Sequence, residues 1–254
     1  MDTLTRLQPL FAAYPIVGLK PLGMLREGDV ETLLLDDAPQ PRALLLQSRS
    51  GFWSMLTDPD HPAPLRALLD RLDWSRPLAF AGLWEPLLPL LSERAEITWR
   101  NPCHQHHLTP TEAVEAQLRE LRGDVAQLGR PRDEHAPLLL EHWPYGASDD
   151  PEALAHIRER ISNARTSGWF EGDALISWAM THRDGSPGFM HTLAPHRRRG
   201  VGLRVAADLL LQVITAGWIP FCHVVEGNKA PMGMIARFGF KRSPDRYLWL
   251  GTSP

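Results

Sequence analysis

The chain has 254 residues, enough for one large domain or two of ordinary size, and its 27 Lys and Arg against 30 Asp and Glu leave a formal charge of −3. That balance argues against a general nucleic-acid binder without excluding a locally basic pocket, and two cysteines, Cys103 and Cys222, are too few for a disulfide framework and fit a reducing compartment. The start, Met1–Leu7, reads as an amphipathic helix rather than a signal peptide, and no apolar run reaches the roughly 18 residues of a membrane span, so a cytoplasmic protein with no membrane partner is expected.

Leu4, Leu7, Leu10 and Phe11 recur at helical spacing and predict a helix over 3–13. Thr32–Leu35, Ala43–Leu46 and Pro77–Ala81 are short apolar runs bounded by turn residues, and read as strands. Pro64–Leu72 between them reads as a helix with Pro64 in its first turn, and Ala95–Arg100 as another strand. Thr109, Pro110 and Glu112 form a helix-start signal. They place a helical linker at 109–123, between an N-terminal α/β domain at 1–108 and a second domain at 124–254. The second domain should open with a strand from Asp124, then a helix near Glu134–His142. A second helix follows, with Leu154, Ile157 and Ile161 on one face. Gly168–Thr181 reads as a hairpin, and Asp184-Gly185 turns the chain into the next strand.

That strand leads into Arg197-Arg198-Arg199-Gly200-Val201-Gly202 and then an apolar helix from Leu203. Two glycines at a strand-to-helix turn leave backbone N–H groups uncovered, and a helix N-terminus adds partial positive charge, so the turn suits a pyrophosphate. Neighbouring guanidinium groups suit a ligand with several phosphates. The Lys and Ser/Thr of a nucleotide P-loop are missing, and Arg198 and Leu203 stand where a dinucleotide fingerprint needs glycines. Further on come a strand-like run, Gly217–Val225, then Glu226-Gly227-Asn228 and a short helical segment ending at Gly239-Phe240.

Together these segments resemble the GNAT superfamily of acyl-CoA N-acyltransferases. The carrying residues are Ile176–Thr181, Thr192-Leu193, Arg197-x-x-Gly200-x-Gly202, His223-Val224, Asn228 and Gly239-Phe240. Glu141–Gly146 with Ile157–Ile161 is similar to the glycine N-acyltransferase branch, which is also called FR47-like. The likeness covers the last half of the chain well and the first half loosely. It implies an α/β (α+β) GNAT fold, a mixed and mostly antiparallel sheet flanked by helices, preceded by a smaller domain compatible with a degenerate GNAT-like half. It implies acetyl-CoA or another acyl-CoA as co-substrate, a small amine or amino acid as acceptor, and no metal. By motif, Leu193 and Ala194 would meet the pantetheine. Arg197, Arg198, Arg199, Gly200, Val201, Gly202 and Leu203 would hold the pyrophosphate, the last six through their N–H groups, and Asn228 would contact the carrier.

Acyl transfer to an amine also requires removal of a proton from the attacking ammonium. The family's glutamate position corresponds to Ser186, and its tyrosine position to Ile235. Three replacements stand in the sequence. His191, on the strand nearest the thioester, has a ring of suitable acidity, against the reading of a half-buried histidine on the other side of the sheet. Glu226 ends the next strand, where exposed loop glutamates are also common. His223 sits mid-strand, where histidines are usually packed. A water chain, or a protein that binds acyl-CoA without turning it over, remains open. Cys103-His104-Gln105-His106-His107 puts two imidazoles on one strand face, but no second ligand pair accompanies it, so a polar edge strand or linker is the expectation. Trp143-Pro144-Tyr145 could wall an acceptor pocket or form a packing corner.

Overall fold

The computed structural model describes every residue except Met1, Tyr145 and Ser148. In chain order its elements open with α1 (Thr3–Ala13), α2 (Leu19–Glu27), β1 (Thr32–Leu35), β2 (Ala43–Gln47) and β3 (Phe52–Thr57). They continue with α3 (Ala63–Leu69), β4 (Ala79–Trp84), α4 (Leu88–Ser92), β5 (Glu96–His107) and α5 (Glu112–Arg122). Next come β6 (Leu128–Gly129), α6 (Ala136–Glu141), α7 (Pro151–Asn163), β7 (Thr166–Glu171), β8 (Ala174–Thr181) and β9 (Pro187–Thr192). The last are α8 (Val201–Thr215), β10 (Phe221–Val225), α9 (Met232–Phe238) and β11 (Lys241–Ser253).

Contacts divide the chain into two compact units. The first comprises Met1–His107, His223–Pro231 and Lys241–Pro254, the second Leu108–Cys222 and Met232–Phe240. The helix over 112–122 therefore belongs to the second unit instead of standing as a linker, and the last strand belongs to the first.

The first unit is built on a sheet in the order β1-β2-β3-β4-β11-β5-β10, of which His223–Val225 in β10 belong to this unit. Its β3 and β4 are parallel, joined through α3, while β11 runs antiparallel to both β4 and β5. Alternate residues of each strand serve opposite faces. Leu45 and Met55 join Leu65, Leu69, Phe80, Leu91 and Leu250 in one core, while Leu44, Leu46 and Leu56 join Leu7, Phe11 and Met24 in another. A sheet covered on both faces explains why Ala43–Leu46 reads as an unbroken apolar run.

The second unit carries the antiparallel sheet β6-β7-β8-β9. Ala179 of β8 packs on Val205 and Leu209 of α8. Trp178 and Met180 face the other way, against Leu139 and Leu140 of α6 and Ile157 and Ile161 of α7. α5 lies beside α8, with Leu118, Leu210 and Ile214 in one cluster with Phe238 of α9. Its cap is Thr111, whose side chain accepts from the Val114 N–H at 3.2 Å, two residues beyond the expected cap at Thr109. This arrangement fixes β9, an edge strand, and the start of α8 side by side.

Candidate functional site

The turn between β9 and α8 is held in a conformation that most residues resist. Arg198 has φ +62° and Gly200 φ +78°, and the fifteen-residue helix begins at Val201. Glycine adopts positive φ at no steric cost; an arginine there is strained and marks a conformation imposed by its surroundings. Among the described residues, no hydrogen bond takes up the N–H groups of Arg198, Arg199, Gly200, Val201 or Gly202, whereas Leu203 N–H already donates to Gly200 O at 3.1 Å. Five donors at the positive end of a helix make an anion cradle. Leu203, expected as a sixth, closes the first turn of the helix.

Side chains of β8 and β9 brace this turn. A Cβ on Gly202 would fall 2.8 Å from Thr192 Oγ1, so only glycine lets the helix start lie this close to the strand. Thr192 Oγ1 in turn lies 2.8 Å from Ser177 Oγ, which donates to His191 O at 2.9 Å. Arg197 Nε donates to Thr192 O at 2.9 Å. The three arginines thus divide their labour. Arg197 ties the turn to the strand, and Arg199 pairs with Glu171 at 2.7 Å and with His196 at 2.7 Å. Among the described residues the Arg198 side chain has no partner, and it is exposed.

On β9 the ladder decides which groups remain for a ligand. Leu193 N–H donates to Ile176 O at 3.0 Å, so it faces β8. Antiparallel pairs alternate between bonded and unbonded, which turns the N–H and C=O of Thr192, opposite Ser177, away from β8, the C=O toward Arg197 Nε. Ala194 opens a short 3₁₀ turn. Higher up, the register slips between Trp178 and Met180, and Phe189 sits at φ +47°. This is a bulge of the kind that re-aims a strand beside a site.

His191 shares the α6–α7 face of the sheet with its cross-strand partner Trp178. The two rings stack with centroids 5.1 Å apart, and His142, just after α6, stacks on His191 at 4.2 Å with planes 9° apart. The His191 Nε2 atom is buried and, among the described residues, has no hydrogen-bond partner. Burial, with the His142 and Arg197 charges adding, holds His191 below the ordinary histidine range, so the ring is neutral at pH 7. Beside it, Trp143 stacks on Phe189 at 5.6 Å, and His156 lies 5.3 Å from Trp143. Tyr145 falls outside the described residues.

The remaining candidates lie in the first unit or in supporting turns. Glu226 is bound through both oxygens by Arg246, at 2.8 and 3.0 Å, and His104 Nε2 is 3.1 Å away. The Arg246 hydrogen bond is the largest influence on its carboxyl and pulls it below the usual range, the reverse of what a base acting on an ammonium needs. Asn228 follows β10, and its Oδ1 accepts from Ala230 N–H at 3.1 Å, a local turn ahead of α9. His223 Nε2 meets Gln105 Oε1 at 3.0 Å, and Trp249 Nε1 lies 3.4 Å from its Nδ1, so both ring nitrogens are engaged. Ser186 donates to Asp184 within the β8–β9 turn, and Ile235 is buried in α9. The Cys103–His107 run is the C-terminal end of β5, which lies inside its sheet between β11 and β10 and is not the polar edge strand or linker expected. There His104 engages Arg242 at 2.6 Å, and among the described residues no group of three or more His, Cys, Asp or Glu converges on a metal position.

Sequence reasoning singled out the turn and His191 as candidates and did not single out Ser177, the Thr192 hydroxyl or His142. Ser177 and Thr192 meet only through strand register, and His142 reaches His191 across 49 positions of chain. The alternation of β8, with Ser177 and Trp178 on opposite faces, was the one local signal available.

Comparisons with known proteins place the fold. The FR47-like protein family matches residues 167–250, from β7 into β11. No curated protein matches the chain. A Drosophila protein structure superposes with a TM-score of 0.63 at 17% identity, over 84% of this chain and 74% of that one. An acetyltransferase of the GNAT family from Colwellia psychrerythraea gives 0.53 at 11% identity, over 100% and 98%. A tandem GNAT protein from the clavulanic acid biosynthesis pathway gives 0.54 at 14% identity, over 92% and 87%. The fold is the GNAT fold, an α/β sheet flanked by helices. Among the described residues no helix is long and apolar enough to cross a membrane.

Proposed function

We propose that the chain is an acyl-CoA-dependent N-acyltransferase that moves an acyl group, most simply acetyl, to a primary amine of a small molecule or amino acid. The observation that carries this reading is the turn at Arg198–Gly202, with five uncommitted N–H groups at a helix N-terminus packed on Thr192. In it, Arg198, Arg199, Gly200, Val201 and Gly202 receive the pyrophosphate. The Arg199–Glu171 pair is exposed, and such pairs contribute little, so Arg199 can exchange Glu171 for a phosphate. Thr192 and Ala194, with Leu193 between them, line the course of the pantetheine, Arg197 fixes the turn, and Asn228 is the further carrier contact implied by resemblance. Acyl-CoA supplies the thioester acyl group. No metal takes part, and the reaction belongs in the cytoplasm.

His191 is the proposed base. Its neutral ring, held below the ordinary range, takes the proton that the attacking ammonium must lose, and among the described residues Nε2 has no partner. Glu226 is the alternative, weakened by Arg246. A second reading, an acyl-CoA-binding protein that does not turn its ligand over, is favoured by Ser186 and Ile235, which stand where the resemblance implies a glutamate and a tyrosine.

Thiol release from acetyl-CoA against a panel of amino acids and polyamines separates the two. The enzyme reading expects acceptor-dependent release that falls roughly a hundredfold or more in His191→Gln, the usual scale for loss of a general base. Bound acetyl-CoA with no acceptor raising release above background hydrolysis would establish the binding reading instead.

A further inference from the structure

His191 does not stand alone: among the described residues it is one of three rings that meet pairwise, with His142 at 4.2 Å, Trp178 at 5.1 Å, and His142 to Trp178 at 5.8 Å. We propose that His142 is a positioning residue for His191, its imidazole stacked so closely on the other that protonating one ring opposes protonation of both. His142 thereby adds to the burial that keeps His191 neutral, and holds its plane against Trp178. This inference rests on the reading of His191 as the base and names what regulates it.

The geometry carries the argument. At 9° between planes and 4.2 Å between centroids, two imidazolium ions would bring like charges together over a partly buried sheet face, where solvent screens poorly. His142 is set there by backbone: its N–H caps α6, bonding to Leu139 O, and Trp143 N–H follows onto Leu140 O. Among the described residues two charged or titratable groups act on His191: His142 from the end of α6 and Arg197 from the turn before α8. β8 presents Trp178 opposite it, and Ser177 bonds the His191 carbonyl. The face of Trp178 favours a cation, so with His142 gone the remaining partner pulls His191 toward protonation.

The test is histidine ring NMR on the free protein, comparing wild type with His142→Phe and His142→Ala, with the His191 signal identified by its loss in His191→Gln. His142→Phe keeps a flat ring on His191 without the ring nitrogens, and His142→Ala removes the ring altogether. An effect common to both is therefore not owed to the new aromatic face. The proposal expects the His191 midpoint to rise by about half a pH unit or more in both variants, roughly a threefold gain in proton affinity. It also expects the acid limb of acetyl-CoA thiol release, measured with the same amine panel, to move up with it. In His142→Ala, kcat should fall further than in His142→Phe, with the KM for acetyl-CoA unchanged. A His191 midpoint that stays put in both variants overturns the proposal and leaves His142 as packing. A midpoint that rises while the acid limb stays still upholds the coupled stack and removes His191 as the base.

Discussion

Glu226 and His191 show how neighbours decide what a titratable side chain can do. Both end or occupy strands in the chain order expected of a base, yet one is clasped by a guanidinium and the other's Nε2 has no partner among the described residues. An arginine that stabilises the carboxylate lowers its proton affinity, whereas a neutral imidazole near its working pH can both take and release a proton. Glu226→Gln is therefore expected to leave the acceptor-dependent rate and its pH profile unchanged, as read by thiol release. A hundredfold loss with the acid limb abolished would return the role to Glu226. His191 was legible in the sequence as a strand histidine six residues before Arg197. Its partners were not, because stacking on His142 depends on a contact that no local spacing encodes.

Elements with a strong local period could be read without the structure. The helix at 3–13 coincides with α1, capped by the Asp2 side chain on Thr5 N–H at 2.9 Å, and the hairpin in 168–181 is the β7–β8 pair, turning at Gly172 with φ +60°. Short-range rules suffice there because cap, turn and alternation lie within a few residues. The strand β5 is twice as long as its apolar signal suggested. It runs through Cys103–His107 because β11 pairs with it from Glu96 to His107, and a paired interior strand does not need an apolar sequence throughout. The insertion of β11 between β4 and β5 is a pairing of residues some 150 positions apart, invisible to periodicity. The glycine turn belongs to the legible class for the same reason as the hairpin: two glycines, a strand before and an apolar helix after are all local.

For the molecule as a whole, buried titratable groups set the pH window of stability. His106, His107, His156 and His191 are all held below the ordinary histidine value, burial being the first cause in each, and His156 is pushed down to about 4. The unfolded chain then binds more protons than the folded one between the ordinary and the depressed values, so stability falls as pH drops through that interval. At the other end, burial pushes the Cys103 and Cys222 thiols up to about 12, so unfolding is favoured as pH climbs above the ordinary thiol value near 9. Thermal melts should show a plateau near neutrality, with a decline that begins below about pH 6.5 and deepens toward pH 4. A midpoint that holds level from pH 7 to pH 4.5 would mean these histidines are solvated in the folded protein.

The claim on which the rest depends is that the Arg198–Gly202 turn grips the pyrophosphate of an acyl-CoA. Calorimetric titration of acetyl-CoA into the wild type and Gly202→Val addresses it directly, with circular dichroism to establish that the variant is folded. The Val side chain would enter the space of Thr192 Oγ1 and push the five N–H donors out of register. Saturable one-site binding is expected in the wild type, weakened at least about tenfold in the variant, roughly 1.4 kcal/mol. Equal affinity in the two folded proteins, or no binding by the wild type, would contradict the assignment of this turn.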